Sequence, residues 1–260
     1  MASDTHQHSS MKKRNAVFRS IATIGRGVSH VAVKHHWSGL ENLPQDGAFI
    51  VCPNHMTNAD PVAIMHMLYS NGYTAQFLVK GALFKNKALA YILNKAQQIP
   101  VYRDSDPSKS LEAAKIAISE GGVVVMYPEG TFTRDPQRWP MKGKTGAARL
   151  ALETGVPVVP IAHWGLLDFM PIGTAKVSTK RPDITILVGK PLTFDEYRGK
   201  EITKELLDEV TNKIMDAITE LLEELRGEKA PEHRWDMKVD GDTIISDQGK
   251  IVTKGVNKDS

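Results

Sequence analysis

A single cysteine, Cys52, stands in 260 residues, so neither a disulfide framework nor a cysteine-based zinc site holds this chain together. Aromatic residues are few, at 7%. No apolar run reaches the roughly 18 to 20 residues that a membrane-spanning helix requires. Met1 to Ser10 also lacks the basic start and apolar block of a secretory leader. A dominant sign of charge is missing as well: 33 Lys and Arg face 30 Asp and Glu. That balance excludes a surface built as a whole to grip nucleic acid. What is present is the composition of a folded chain, 41% hydrophobic and 24% charged. At this length one core buries roughly three-quarters of the unfolded chain's surface.

The charge is unevenly placed. Lys12, Lys13, Arg14, Arg19, Arg26 and Lys34 precede residue 37 against one acid, Asp4, so the rest of the chain is close to neutral. Within this head Val17, Ile21, Ile24, Val28 and Val31 recur at steps of four and three, which sets them on one helical face. Gly25 and Gly27 interrupt the stripe and divide it into two shorter helices. The pattern predicts a disordered start over 1–10 and a basic amphipathic helical segment over 11–36. Such a segment packs on the core or lies on an anionic membrane surface.

After Pro44 short β-rich runs alternate with helical ones. Ala48–Cys52, Gln76–Val79, Ile99–Tyr102, Val123–Tyr127, Val156–Ala162 and Ile184–Val188 read as strands, mostly continuous apolar runs of the kind buried on both faces. Pro61–Tyr69, Asn86–Ala96, Ser108–Ser119, Thr145–Glu153 and Glu201–Arg226 read as helices. This alternation predicts an α/β fold with a mixed, largely parallel central sheet flanked by helices. The domain is expected over 37–226. A polar C-terminal tail should follow over 227–260, with Trp235 and the residues around Ile244 and Ile251 able to anchor part of it.

Four stretches carry chemistry. Val51 to Pro61 joins a buried strand to a helix and holds His55 and Asp60 five residues apart. Asp60-Pro61 alone is a common helix start. A carboxylate that accepts a hydrogen bond from one imidazole nitrogen also fixes the tautomer and raises the basicity of the other, the arrangement of a general base and its orienter. Met126-Tyr127-Pro128-Glu129-Gly130-Thr131 ends a second strand, where a plain turn is the local explanation. Ile99 to Arg103 is a strand ending in a guanidinium, the group suited to bidentate phosphate recognition. Val156 to Ile161 holds two prolines, which suggest an edge strand or a bulge.

In this order and at these separations the four stretches resemble the blocks of the 1-acyl-glycerol-3-phosphate acyltransferase (lysophosphatidic acid acyltransferase) family. The likeness covers roughly Trp37 to Arg226. His55 and Asp60 match the first block, Ile99 to Arg103 the second, Glu129, Gly130 and Thr131 the third, and the Val-Pro run the fourth. Phe132 follows the third block where the family often has Arg or Ser, with Arg134 two residues on, and Pro100 and Tyr102 replace the usual Gly and Phe of the second.

The resemblance implies transfer of a fatty acyl group from acyl-CoA or acyl carrier protein to the free hydroxyl of lysophosphatidic acid, with no cofactor, no metal and no acyl-enzyme. It implies His55 as general base, Asp60 as its partner, Arg103 and Lys80 as phosphate contacts, and Glu129, Gly130 and Thr131 as the acceptor-binding block. Glu129 would position a basic side chain or a hydroxyl, and Gly130 would let backbone N–H groups approach the anion. Backbone N–H groups beyond His55, and more weakly Asn58, are the expected oxyanion donors. Lys142, Lys144 and Arg149 face phosphates or simply solvent. Cys52 reads as a small buried strand residue.

The implied partners are lysophosphatidic acid, an acyl thioester and an anionic membrane surface, with acyl carrier protein as the other donor and no nucleic acid. The implied location is the cytoplasmic face of the membrane, peripheral or monotopic. Other hydroxyl acceptors, such as glycerol 3-phosphate, a lyso-ornithine lipid or a glycolipid, suit the same chemistry. A metallohydrolase would need further ligands beside His55 and Asp60, and His66 and His163 are expected apart from them. A lipid-binding protein without catalysis is the non-enzymatic reading.

Overall fold

The computed structural model describes residues 31–102, 108–171, 177–245 and 251–254. The basic stripe over 11–30 and Arg103 lie outside the described residues.

Seven strands form the main sheet: β1 (Lys34–Ser38), β2 (Phe49–Pro53), β3 (Ala75–Lys80), β4 (Ile99–Val101), β5 (Val123–Val125), β6 (Val158–Trp164) and β7 (Asp183–Val188). Their spatial order is β1-β7-β6-β2-β5-β3-β4. All adjacent pairs are parallel except β6 and β7. The helices are α1 (Asp60–Ser70), α2 (Lys87–Lys95), α3 (Ser108–Ser119), α4 (Gly146–Thr154), α5 (Leu166–Phe169) and α6 (Lys204–Arg226). The fold is therefore the mixed, largely parallel α/β sheet that the alternating pattern predicts.

Alternation along the central strand builds two cores. Phe49 and Val51 of β2 face a core shared with Ile64, Met67 and Leu68 of α1. Ile50 and Cys52 face the other, shared with Ala114 and Ile118 of α3, Ala147, Ala148, Leu150 and Ala151 of α4, and Val210, Ile214 and Ile218 of α6. The sheet is covered on both faces, as continuous apolar strands require. The chain leaves β2 into α1 on one face, and after β5 it reaches α4 on the other. The crevice beyond the C-terminal ends of β2 and β5 is thus a topological switch point, where α/β sheets build their sites.

Two expectations change. Lys34 to His36, placed at the end of the helical segment, belong to β1, which pairs with β7. Its side chains alternate between exposed and half-buried, as on an edge strand that needs little hydrophobicity. β6, expected at an edge or bulge, is interior between β7 and β2. The sheet tolerates Pro160 because that residue sits where the antiparallel ladder to β7 ends. There Gly189 N–H donates to Pro160 O at 2.9 Å, and the missing proline N–H costs no bond within the ladder.

Beyond α6, Trp235 Nε1–H donates to Gly241 O at 3.0 Å, and Lys142 N–H donates to Trp235 O at 2.8 Å. A two-stranded hairpin of β8 (Asp242–Ile245) and β9 (Ile251–Lys254) follows. No described helix is long and apolar enough to cross a membrane.

Candidate active site

The loop after β2 turns back onto the start of α1. Asp60 is fully buried there, and its Oδ2 gathers three donors: His55 Nδ1–H at 2.9 Å, Met56 N–H at 2.5 Å and Thr57 N–H at 2.9 Å. His163 Nε2, from the C-terminal part of β6, lies 3.5 Å from the same oxygen and 2.9 Å from Asn54 O. With acceptors on both sides, that nitrogen carries the proton. Asn54 and His163 also exchange bonds, Asn54 Nδ2–H to His163 O at 3.2 Å and His163 N–H to Asn54 Oδ1 at 2.9 Å. The array fastens the β2 loop to its neighbouring strand.

Burial by itself would raise the Asp60 pKa. The attraction and hydrogen bonds of His163 and His55 outweigh it and hold the carboxyl below the usual carboxylate range. Asp60 is therefore a buried, ionised acceptor. The expectation that His163 stands apart is corrected: β2 and β6 pair in parallel with Pro53 opposite Ile161, so two residues further on His163 arrives beside the loop.

The His55 ring, 14% exposed, is held between aromatics. Tyr127 stacks on it at 4.1 Å between centroids and 26° between planes, and Phe132 meets it edge-on at 4.6 Å. Burial, with the Asp60 charge adding, holds the Tyr127 phenol well above its ordinary value, so a neutral ring faces the imidazole. Neither aromatic was expected at the site. Tyr127 lies in a stretch singled out for chemistry but has no role of its own in the sequence reading, and Phe132 reads only as a departure from the family pattern.

Glu129 is buried, and among the described residues its carboxylate forms no hydrogen bond with a basic side chain or hydroxyl. Its Oε1 accepts His55 N–H at 3.0 Å and its Oε2 accepts Met141 N–H at 3.0 Å, which ties the two loops of the site together. Gly130 N–H is not free for an anion either, since it donates to Tyr127 O at 3.0 Å. What Gly130 does allow, at φ 69°, is a close approach: a β-carbon there would come within 3.0 Å of Lys144 Cδ and Cε. Thr131 follows, half-buried.

Burial pushes the Glu129 carboxyl up to about 8, against the two backbone N–H groups that favour its ionised form. Its ordinary value is 4.5, so between those values the folded state holds a proton that the unfolded state has released. The associated stability is full below that window and declines as pH rises through it, by about 1.4 kcal/mol per pH unit. Denaturant melts across the window should show this decline in the wild type and a flatter profile in Glu129→Gln. Parallel profiles would contradict the assignment.

The other expected residues separate. The Met56 and Thr57 N–H groups are spent on Asp60, so the first backbone donors beyond His55 do not serve an oxyanion. Asn58 is exposed in the turn. Lys142 pairs with Asp236 at 2.9 Å and Arg149 with Glu153 at 3.4 Å, whereas Lys144 forms no ion pair among the described residues. Arg134 pairs with Asp242. Lys80 is exposed at the end of β3, on the same edge of the sheet as His55. Burial pushes the Cys52 thiol far above its ordinary value and leaves it inert. No group of three potential metal-ligating His, Cys, Asp or Glu side chains occurs among the described residues.

A family model described as Acyltransferase matches residues 34–164. The chloroplastic 1-acyl-sn-glycerol-3-phosphate acyltransferase of Brassica napus is 31% identical over 173 residues, which cover 62% of this chain and 48% of that protein. The 1-acyl-sn-glycerol-3-phosphate acyltransferase of Bacillus subtilis is 27% identical over 181 residues, 70% of this chain and 84% of that one. The chain thus spans about half the length of the Brassica protein and most of the Bacillus one. The crystal structure of the 1-acyl-sn-glycerophosphate acyltransferase of Thermotoga maritima superposes with a TM-score of 0.64 at 21% identity, covering 86% of this chain and 87% of that one. At that identity the likeness is one of fold.

Proposed function

The chain belongs to the acyltransferase family, and from that premise we propose that it transfers a fatty acyl group from acyl-CoA or acyl carrier protein to the free sn-2 hydroxyl of 1-acyl-glycerol 3-phosphate, giving phosphatidic acid. The carrying observation is the 2.9 Å bond between His55 Nδ1 and the buried Asp60 carboxylate. The substrate class follows the printed names of the relatives.

In this reading Asp60 takes the Nδ1–H of His55 and leaves Nε2 as the base nitrogen. Nε2 removes the acceptor's hydroxyl proton as its oxygen attacks the thioester carbonyl. The tetrahedral intermediate collapses with cleavage of the C–S bond, and the leaving sulfur takes the proton back from the imidazolium. Asp60 and the stacked Tyr127 ring both favour the charged imidazole while it lasts. His163 is a positioning residue that acts through Asp60. No side-chain nucleophile is used, which suits an inert Cys52.

Arg103 and Lys80 are the proposed phosphate contacts on sequence grounds. Lys144, without an ion pair among the described residues and laid against Gly130 beside the catalytic loop, joins them. Glu129 contributes by bracing the loop and not by touching the acceptor. The protein acts at the membrane as a peripheral or monotopic protein, since its substrates carry fatty chains, and the face proposed is the cytoplasmic one.

An acceptor panel tests the reading. With acyl-CoA as donor, lysophosphatidate should be acylated at least about ten-fold faster, in kcat/KM, than a lyso-ornithine lipid or a glycolipid, the discrimination of roughly one well-made phosphate contact, and faster than glycerol 3-phosphate, which keeps the phosphate but lacks the buried fatty chain. A faster rate on another acceptor would reassign the substrate. No transfer to any of them would reject the acyltransferase reading.

A further inference from the structure

A helix with no fully buried residue stands at one corner of the fold. α2 has no buried residue and packs mainly against the short 3-10 turn Gly81–Lys85 that precedes it. Nine residues are too few to hold a helix in water without a partner surface. Its sequence is nevertheless strongly amphipathic: Phe84, Leu89 and Leu93 are half-buried, while four other apolar or aromatic side chains of the unit stand in solvent, Leu83 at 44% exposed, Tyr91 at 56%, Ile92 at 38% and, laid over the turn from the end of β4, Tyr102 at 49%. Gly81 makes room for that last ring. A β-carbon at Gly81 would fall 2.3 Å from Tyr102 Cδ1.

The charge of the same stretch is one-sided. From Lys80 to Tyr102 there are Lys80, Lys85, Lys87 and Lys95 and no Asp, Glu or Arg. Lys85 and Lys87 are exposed and form no ion pair among the described residues. Exposed apolar and tyrosine side chains interleaved with lysines match the boundary of an anionic bilayer, where rings sit at headgroup depth and lysine stems reach up to lipid phosphates. A second copy of the chain fits poorly, because a two-fold contact on this unit would set lysine against lysine.

The unit is also well placed. β3 and β4 run parallel to β2, and the turn follows the C-terminal end of β3, so it lies on the His55 edge of the sheet. β3 is two strands from β2, about 10 Å at ordinary strand spacing. We propose that the Lys80–Tyr102 unit is a docking surface for an anionic phospholipid bilayer, which it holds beside the mouth of the site. The inference rests on the acyl-transfer reading for its purpose only, since docking is read without catalysis.

Two pairs of substitutions in the full chain test it, Tyr91→Ser with Ile92→Ser, and Lys85→Gln with Lys87→Gln. None of the four residues belongs to the proposed catalytic or phosphate-binding set. Vesicles of phosphatidylcholine, alone or mixed with phosphatidylglycerol, are the probe, and co-sedimentation is the readout. The wild type should bind the mixed vesicles better than the neutral ones. The lysine pair should weaken that binding about 30-fold, and the apolar pair about ten-fold or more. Both should keep wild-type acyl transfer to a detergent-dispersed acceptor, and if one pair fails to fold the other decides.

Unchanged binding in the folded variants, absence of binding in the wild type, or equal binding to neutral vesicles would overturn the proposal. So would loss of binding to acyl carrier protein with vesicle binding intact, which would make the surface a protein contact. A wild type that docks but transfers no acyl group to the dispersed acceptor would reject the acyl-transfer reading and leave the docking surface standing.

Discussion

His55→Ala should lower kcat for acyl transfer by about 10²- to 10⁴-fold, the range general-base catalysis contributes, with little change in KM for either substrate. The ring touches its neighbours through one hydrogen bond to Asp60 and two aromatic contacts. Its backbone is held independently, N–H to Glu129 and carbonyl to Thr133 N–H at 2.8 Å. Truncation therefore leaves the loop tied down. Steady-state kinetics beside a thermal melt check this: an unchanged kcat would remove His55 from the base role, and a loss of folding equal to the loss of rate would make its role structural.

Asp60→Asn should lose about as much activity and some stability too. The amide can turn its oxygen toward the three donors now at Oδ2, but its NH2 then occupies the buried site of Oδ1, which has no hydrogen-bond partner. Two buried N–H donors without acceptors cost roughly 1–3 kcal/mol. The lost charge also leaves the imidazolium without a counter-ion, for a further fall in kcat of about 10²- to 10⁴-fold. The stability that the lowered Asp60 pKa provides is present above its ordinary 3.8 and is lost as pH falls below that value, so the variant should show a shallower acid limb in its melts. An Asn variant with wild-type kcat would show that His55 needs no charged partner.

How much of this was legible in the sequence depends on distance along the chain. β2 to β7 could be read because each is a short, largely apolar run, and β2, β5 and β6 are buried on both faces. β1 could not, since its Lys-His-His-Trp-Ser needs only a half-buried alternation at a sheet edge. His55 and Asp60 lie within one loop, so their spacing announced their contact. Glu129 was visible as a residue but its task was not, because its partners, the N–H groups of His55 and Met141, come from two loops whose paths the sequence does not state. His163 was hidden for the same reason. It reads as one residue of an apolar strand, and only the pairing of β2 with β6 brings it to Asp60. Gly130 was expected to let backbone N–H groups approach an anion, and its own N–H is used in the tight turn to Tyr127.

Tertiary structure also sorted the cations. Lys142, Lys144 and Arg149 are equivalent on paper. Their ion pairs single out Lys144, and its stem along Gly130 places it by the catalytic loop.

The central claim is that this pair of side chains moves an acyl group from a thioester to the hydroxyl of a lysophosphatidate. Its most direct test is to incubate the purified full chain with acyl-CoA and lysophosphatidate and to follow phosphatidate and free thiol together, in wild type and in His55→Ala. The account predicts one phosphatidate per thiol released by the wild type and almost none by the variant. Thiol release without phosphatidate, or equal product from both proteins, would contradict it.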